Sequence, residues 1–438
     1  MKKGIWTVGL IALIAAGAAW GLSGKASPSA PRPTFVSGEA LVQFKPAVSG
    51  EQAARLIAEA GAQLKETIQP QRIHVVSFSS SVPPQQMVER FQQMPEVAYA
   101  ELNGVMEVFG WEGWFSGEAW AEDGPLGAGA KVRVAVIDTA IDGNHPALAG
   151  KVVGGYNFVN NSTNTQSAGS GQDWHGTAST GRILDGAGAA NIEIMPVQVF
   201  GSSGGASWST IIKAINYAVD NGAQVINMSL GGMAGSPLVQ QAIDRATEKG
   251  ILVVASAGNH GTEAPAYPAS YKGVISVAAS NEGGKKAGFS AYGSTVDITA
   301  PGDTQRLLSH GGYRNSRGTS FSAPFIAGMV AMLKSAFPQL TAAQTEQVLK
   351  SKANDVYGQN DPKYAGKLGA GLLNALDVGK WMSQIRSGTF QFPWAVGAPP
   401  APPAQRPPAA APQQPWLVRG KGHGGNFVVT PAGDVVKE

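Results

Sequence analysis

Between residues 110 and 390, short and nearly continuous apolar runs alternate with stretches of helical periodicity. The apolar runs, which are rich in β-branched residues, are 132–138, 192–200, 225–230, 251–258 and 274–280. The helical stretches lie at about 175–184, 207–221, 236–249, 320–336 and 341–352. Continuous apolar strands that alternate with helices are typical of a parallel sheet covered on both faces. We therefore expect an α/β fold with a doubly wound, mostly parallel sheet flanked by helices.

A smaller unit with its own pattern precedes this region. The patterns of residues 37–109 predict strands at 38–44, 74–78 and 97–103, and helices at 51–62 and from Pro83 to Gln93. This order of short strands and helices predicts a small α+β unit in front of the larger domain.

The chain opens with a short basic region and a long apolar run. Met1-Lys2-Lys3 precedes an apolar run from Ile5 to Leu22, and Gly24-Lys25-Ala26 offers a cleavage site with small residues. Such a segment is typical of an export signal, which we assign to residues 1–26. The run is also long enough for an uncleaved anchor, so membrane contact is expected only if the segment is retained. In either case we expect a protein that is secreted, extracellular or associated with the cell envelope.

Proline-rich segments separate the predicted domains. Residues 27–36 are typical of a Ser/Pro-rich linker, and residues 391–415 contain nine prolines together with alanine, as in a stiff extended spacer. The remaining tail, 416–438, is too short for an independent domain. It is either a processed extension or a sorting or surface-binding tail.

Composition excludes several classes of function. The net charge of +3 is spread over 438 residues, whereas nucleic-acid binding requires a concentrated basic patch. The absence of cysteine excludes disulfide bonds, thiol catalysis and Cys-based zinc sites. The 57 glycines follow no collagen-like period, so they mark turns and places where a backbone comes close to another group. No nucleic-acid partner is expected.

Four polar residues lie where a parallel sheet usually carries its chemistry. Asp138 ends one apolar run and Asn259 follows another, and ligands bind such sheets at the carboxyl ends of strands. His175 and Ser320 each begin a predicted helix. An imidazole can act as a general base, and an amide or a helix N-terminus can stabilise an oxyanion. Each residue alone is explained as well by a structural role in a helix cap, a core or a turn.

Five short segments together carry a family resemblance. They are VAVIDTAID (134–142), HGTASTG (175–181), NMSLGG (227–232), ASAGNHG (255–261) and GTSFSAPFIAG (318–328). With these blocks in the order Asp, His, Asn, Ser, residues 110–385 resemble the subtilisin-like serine proteases. The resemblance implies a subtilisin-like fold and a secreted serine endopeptidase that is made as a zymogen. It also selects Ser320 over the neighbouring hydroxyls of Thr319 and Ser322.

The resemblance implies a role for each of the four polar residues. Ser320 would be the nucleophile, His175 the general base and acid, and Asp138 the residue that orients the imidazole. The Asn259 amide and the Ser320 backbone N–H would form the oxyanion hole.

A second set of residues is implied to bind substrate, either by pairing with its extended backbone or by walling the pocket for the residue before the cut. These residues are Ser229, Leu230, Gly231, Gly232, Ala257 and Gly258. Ala266 is expected near the floor of that pocket, and a small residue there suits a large apolar side chain.

The sequence departs from the family pattern at four positions, none of which is a triad residue. Three of them are Ala140, Ala178 and Phe325. The fourth is Ala147, where many members carry a carboxylate that helps to bind calcium. No cofactor is expected for the chemistry, and no metal ligand is assigned. Oxygen-rich stretches at 157–165 and Asn360-Asp361 leave a structural calcium ion open.

Residues 37–109 resemble the propeptide of the family, which is an inhibitor and folding assistant, and the resemblance implies a small ferredoxin-like α+β fold. Aligning residues 97–105 with its C-terminal strand predicts maturation near Phe109–Gly110, and a permanent accessory domain is the alternative. The expected domains are a signal or anchor (1–26), a linker (27–36), the propeptide (37–109), the catalytic domain (110–390), a Pro/Ala-rich linker (391–415) and the tail (416–438).

Two other functions remain as alternatives. One is a catalytically inactive subtilisin-like extracellular binding module, which an alanine at Ser320 would distinguish from a protease. The other treats the glycine-rich segment 201–207 as a phosphate-binding loop, although the Walker lysine is missing. The expected partners of a protease are polypeptide substrates and its own propeptide.

Overall fold

The computed structural model describes residues 34–108, 111–112, 129–169, 173–201, 204–394, 418–422, 425–429 and 435–437. The predicted export signal, most of both linkers and the residues Phe109–Gly110 lie outside the described residues. Of the helices that are described, none is long and apolar enough to cross a lipid bilayer.

Four antiparallel strands and two helices form an N-terminal unit from Phe35 to Val108. In chain order they are β1 (Phe35–Phe44), α1 (Gly50–Glu59), β2 (Ala62–Ile68), β3 (Ile73–Phe78), α2 (Pro84–Gln92) and β4 (Val97–Val108). The strand order β4-β1-β3-β2 confirms the small α+β unit. The sequence pattern does not predict strand β2, because its central residues are exposed and mostly polar, which hides the alternation that marks a strand.

Both helices of the N-terminal unit pack on one face of its sheet. The Ser49 side chain caps the start of α1. Helical spacing buries Ala53 and Ile57 of α1 and Met87 and Phe91 of α2 in one hydrophobic cluster with the sheet. The other face of the sheet shares a continuous hydrophobic core with the following domain.

A parallel sheet of seven strands forms the centre of the α/β domain, which we define as residues 129–394. The strands that follow β4 are β5 (Trp111–Glu112), β6 (Val132–Asp138), β7 (Tyr156–Asn157), β8 (Ile192–Gln198), β9 (Gly205–Ser207), β10 (Val225–Met228), β11 (Leu230–Gly231), β12 (Leu252–Ser256), β13 (Val274–Ser280), β14 (Ile298–Pro301), β15 (Gln305–Ser309), β16 (Gly312–Arg317), β17 (Val418–Gly422), β18 (Gly425–Val429) and β19 (Val435–Lys437). The sheet order is β14-β13-β12-β10-β6-β8-β7, with all neighbours parallel. Strands β17, β18 and β19 pair antiparallel in the C-terminal tail.

Helices cover both faces of the parallel sheet, which confirms the doubly wound fold. They are α3 (Trp174–Ala187), α4 (Trp208–Asp220), α5 (Pro237–Glu248), α6 (Thr319–Ala336), α7 (Ala342–Ser351) and α8 (Ala375–Arg386). One hydrophobic core joins the sheet to α4 and α5, and a second joins it to α3, α6, α7 and α8. Side-chain caps at Ser207, Ser236, Thr341 and Asn374 fix where four of these helices begin.

Helices α3 and α6 come into backbone contact through two glycines. A Cβ atom on Gly186 would lie 1.9 Å from the Phe325 carbonyl oxygen, and one on Gly328 would lie 2.1 Å from the Ile183 carbonyl oxygen. Only residues without a side chain permit this approach. Because His175 lies in the first turn of α3 and Ser320 in the first turn of α6, the contact fixes the two residues relative to each other.

Candidate active site

Asp138 and His175 form a buried pair at the carboxyl end of the central strand β6. The His175 Nδ1 atom lies 2.7 Å from Asp138 Oδ1, and each side chain is 1% exposed. The Thr139 backbone N–H donates to the same carboxylate oxygen at 2.6 Å. Within the described part of the chain, His175 Nε2 is buried without a hydrogen-bond partner. A carboxylate on Nδ1 holds the ring in one orientation and leaves Nε2 for proton transfer.

The second carboxylate oxygen of Asp138 is held by a residue that sequence reasoning missed. The buried Ser179 hydroxyl donates to Asp138 Oδ2 at 2.9 Å. Ser179 follows His175 by one helical turn, so both side chains leave the same face of α3. The signal was therefore present in the sequence as an i, i+4 pair, but a hydroxyl in a helix has many structural explanations.

Ser320 is tied to the segment Ser229–Gly232 by two hydrogen bonds. Its Oγ donates to the Ser229 carbonyl at 3.3 Å, and the Ser229 Oγ donates to the Ser320 carbonyl at 2.9 Å. The second bond follows from the sequence, because Pro324 has no N–H and leaves the Ser320 carbonyl without its helical donor. The GTSFSAP block thus joins the start of α6 to the strand segment beside it.

The side-chain amide of Asn259 is oriented by Thr319. Its Oδ1 atom accepts from the Thr319 N–H at 2.9 Å and from the Thr319 Oγ1 at 2.8 Å. The Gly258 N–H donates to the same hydroxyl at 3.3 Å. Since the oxygen is engaged, the NH₂ group points away from Thr319 and can donate to an anion formed next to Ser320.

Strand β4 of the N-terminal unit lies between two edge strands of the α/β domain. It pairs antiparallel with β11, where Val108 is opposite Leu230 and Glu107 is opposite Gly231. On its other side it pairs antiparallel with β9. The backbone of β4 therefore has the extended conformation and the two-sided pairing of a peptide bound in a groove.

The other residues predicted to wall the pocket make contacts of their own. Gly232 exchanges both of its backbone hydrogen bonds with Tyr267, each at 2.8 Å, rather than with β4. Ala257 is buried, and Gly258 has a φ of +112°, which favours glycine. A Cβ atom on Gly258 would lie 3.2 Å from the Cβ atom of Ala266.

Strand β5 pairs with the strand that leads into α6. It pairs antiparallel with β16, where Trp111 is opposite Arg317 and Glu112 is opposite Ser316. Strand β16 ends three residues before Ser320. The chain is therefore paired with the α/β domain both before and after Phe109–Gly110, which lie outside the described residues.

Two polar side chains of β4 bind the first turns of helices in the α/β domain. The Asn103 side-chain oxygen accepts from the Ser209 N–H of α4 at 3.1 Å. Glu101 accepts from the hydroxyl of Ser236, the residue that caps α5, and from the Tyr99 hydroxyl at 3.3 Å. Burial raises the pKa of Glu101 to about 8, and the two hydroxyl donors oppose that rise.

Side chains at the positions considered for calcium make hydrogen bonds within the protein or offer no oxygen. Ala147 offers no side-chain oxygen, and its N–H donates to His145 Nδ1 at 3.2 Å. The side-chain oxygens of Asn157 and Asp361 accept from nearby backbone N–H groups. In the described ranges, no three His, Asp or Glu residues come together as metal ligands.

Models of known protein families match both the α/β domain and the N-terminal unit of this chain. The subtilase family model matches residues 129–371, more than half of the chain. The chain belongs to the subtilase family. A model of the fervidolysin N-terminal prodomain matches residues 22–103. The protein is therefore a serine endopeptidase with an N-terminal prodomain, and the N-terminal unit is that prodomain.

Curated relatives of this subtilase are proteases. Thermitase from Thermoactinomyces vulgaris is 38% identical over 259 residues, which are 58% of this chain and 90% of thermitase. Subtilisin NAT from Bacillus subtilis subsp. natto is 33% identical over 349 residues, which are 76% of this chain and 88% of that protein.

Solved structures confirm the subtilisin-like fold. Fervidolysin from Fervidobacterium pennivorans, described as a keratinolytic enzyme related to subtilisin, matches 79% of this chain with a TM-score of 0.65 at 24% identity. This subtilase spans 61% of the fervidolysin chain. A lanthipeptide protease matches 60% of this chain and 89% of its own, with a TM-score of 0.51 at 26% identity.

Proposed function

We propose that this subtilase is a secreted endopeptidase made as a zymogen, with Asp138, His175 and Ser320 as its catalytic residues. The observation that carries the proposal is the buried 2.7 Å contact between His175 Nδ1 and Asp138, with Ser320 in the first turn of the helix packed against that of His175. Membership of a family of serine proteases supports the same assignment.

In the proposed reaction, Ser320 Oγ attacks the carbonyl carbon of the scissile bond while His175 Nε2 takes its proton. The carbonyl oxygen becomes an oxyanion, and Asp138 stabilises the imidazolium through the Nδ1 contact. The C–N bond then breaks as His175 gives its proton to the leaving amine, which leaves an acyl group on Ser320. Water enters, loses a proton to His175 and attacks the ester, and Ser320 regains its proton.

Two donors would bind the oxyanion. The Asn259 NH₂ group is directed by the two bonds that its oxygen accepts from Thr319, and the Ser320 N–H belongs to the first turn of α6. The helix N-terminus adds partial positive charge at the Ser320 N–H. Because hydrogen bonds to an anion are stronger than those to a neutral carbonyl, both donors favour the tetrahedral intermediate over the neutral substrate. The proposed site therefore stabilises charge where it develops.

The proposed substrates are extended polypeptides with a large apolar residue before the cut. The pairing of β4 with β11 supports backbone recognition at Ser229–Gly232, and the small Gly258 and Ala266 support a roomy apolar pocket. A basic side chain would require an acidic wall. Glu263, an acidic residue three positions before Ala266, is exposed and pairs with Lys367 at 2.5 Å.

The proposed maturation site is the bond between Phe109 and Gly110. Val108 is opposite Leu230, and Ser229 precedes Leu230. One further step in the antiparallel ladder would therefore bring Phe109 opposite Ser229. The Ser229 carbonyl is the group that accepts from Ser320 Oγ. This register supports Phe109 as the residue before the cut.

We propose that the prodomain inhibits the enzyme by occupying its groove. Its strand β4 uses the edges of both β9 and β11, which an external substrate would need. The same occupation disfavours the phosphate-binding alternative for 201–207, because β9 lies in that segment. Export through residues 1–26, and the proposed boundaries of the catalytic domain at 110–390, complete the proposal.

Two matched variants test the catalytic role and the inactive-module alternative. We expect purified wild-type protein to cleave an unstructured protein and Ser320→Ala to leave it intact. Ser322→Ala is the control, because Ser322 is also a buried hydroxyl in the first turn of α6, yet it donates to the Ala300 carbonyl at 3.0 Å. Equal cleavage by wild type and Ser320→Ala would refute the proposal, whereas cleavage by neither would favour the binding module.

A further inference from the structure

An arginine on the hairpin that precedes Ser320 is stacked on an aromatic ring beside the proposed general base. The Arg314 Cζ atom lies 3.7 Å from the centroid of the Trp174 ring. Trp174 precedes His175 in α3, and its ring contacts the rings of both His175 and Phe321, at 5.7 and 6.1 Å between centroids. Since a guanidinium held over an indole loses little further freedom on binding, its charge is kept close to the catalytic groups.

The pairing of β5 with β16 shows which substrate residue would meet this charge. Glu112 is opposite Ser316 in the antiparallel ladder, and residues opposite each other share a face of a sheet. Arg314 precedes Ser316 by two residues, so it lies on that same face and is the diagonal neighbour of the Glu112 position. Diagonal neighbours are about 7 Å apart, within reach of a long side chain.

The chain itself supplies an acidic residue at this position and avoids basic ones around it. Residue 112 is a glutamate, and no lysine or arginine occurs between Arg90 and Lys131, although that stretch contains seven acidic residues. A segment that must occupy the groove before maturation is therefore matched in charge to Arg314.

The opposite face of the same hairpin provides a built-in control. Arg306 of β15 is paired with Asn315, so it lies on the other face from Arg314. Its Cζ atom lies 4.0 Å from the centroid of the Tyr313 ring. Arg306 thus carries the same charge on the same hairpin, with a similar aromatic contact, but faces away from the Glu112 position.

We propose that Arg314, held by Trp174, is a specificity-determining residue that selects an acidic substrate side chain at the Glu112 position. If Phe109 precedes the cut, this is the third residue after it. The inference rests on the proposed function, because it concerns the substrate of the same site. It adds a charge preference beyond the cut to the apolar preference before it.

The test uses the matured enzyme from the full-length chain and three peptides that copy residues 104–114 with Glu, Gln or Lys at position 112. An ion pair near the surface changes kcat/KM by a few-fold, so we expect Glu to exceed Gln by about threefold and Lys by about tenfold at low ionic strength. High salt should reduce both ratios, because it screens charges near the surface.

Two variants separate Arg314 from the general charge of the hairpin. We expect Arg314→Glu to reverse the order of the Glu and Lys peptides, and Arg306→Glu to preserve the wild-type order. Equal wild-type rates for the Glu and Lys peptides, or a reversal by Arg306→Glu, would overturn the inference even if the Arg314 variant fails to mature. Failure to cleave any of the three peptides would instead count against the proposed function.

Discussion

The prodomain and the catalytic domain each bury a histidine, and the two rings differ in the group that faces Nδ1. In the prodomain, His74 Nδ1 lies 3.0 Å from the Thr67 hydroxyl. In the catalytic domain, His175 Nδ1 lies 2.7 Å from the Asp138 carboxylate. In both rings, Nε2 is buried without a hydrogen-bond partner among the described residues.

The difference indicates that the partner, and not burial, would suit a histidine to proton transfer. Burial lowers the pKa of His74, and the nearby Arg72 lowers it further, so both causes favour the neutral ring. At His175, a carboxylate stabilises the imidazolium that forms when Nε2 takes a proton. One ring therefore serves as a structural element and the other as a proposed general base.

The largest expected effect comes from replacing each of the two histidines in turn. We expect His175→Ala to lower kcat for a peptide substrate by roughly a million-fold, because the nucleophile loses its base. His74→Gln should leave kcat of the matured enzyme within about twofold of wild type, since the prodomain has been removed. A comparable loss of kcat in both variants would mean that burial alone, rather than the carboxylate, distinguishes catalytic residues in this chain.

The next largest effect concerns the oxyanion donors. We expect Asn259→Ala to lower kcat by about 100- to 1000-fold with little change in KM, because the lost hydrogen bond exists only in the transition state. Thr319→Val removes one of the two bonds that orient the amide and should cost about tenfold. Steady-state kinetics on one peptide substrate measure both. An increase in KM with unchanged kcat would show that Asn259 binds substrate only.

A smaller effect tests the carboxylate itself. We expect Ser179→Ala to lower kcat by about tenfold, because Asp138 loses a buried donor and holds the His175 ring less firmly. Thr180→Val is the matched control, since the Thr180 hydroxyl is also buried in α3 but donates to the Gly176 carbonyl at 2.8 Å. Equal losses in the two variants would make Ser179 a general support of the helix.

The smallest effect concerns the pH dependence of the prodomain. Because the pKa of His74 is lowered in the folded state, stability is complete above the ordinary value of about 6.5 and declines as the pH falls below it. In uncut Ser320→Ala protein, we expect the hydrogen-exchange protection factors of β1 and β3, which are corrected for the intrinsic pH dependence of exchange, to decrease as the pH falls below about 6.5. His74→Gln should remove this decrease, and its persistence in that variant would assign it to another group.

Much of the fold could be predicted because its signals are local. Apolar runs such as 132–138 and 274–280 identify buried strands, and the blocks around Asp138, His175 and Ser320 are contiguous. The parts that could not be predicted depend on contacts between distant segments. The β15–β16 hairpin has a polar sequence and becomes ordered by packing against α3, and Arg314 meets Trp174 across 140 positions of sequence.

Intact mass and N-terminal sequencing of the secreted protein test the central claim most directly, namely that Ser320 cuts its own chain between prodomain and catalytic domain. Wild type and Ser322→Ala should yield a catalytic domain that begins at Gly110. Ser320→Ala should accumulate as an uncut chain that begins near residue 27. A Ser320→Ala protein with its N-terminus near Gly110 would contradict the account, because another protease would then perform the maturation.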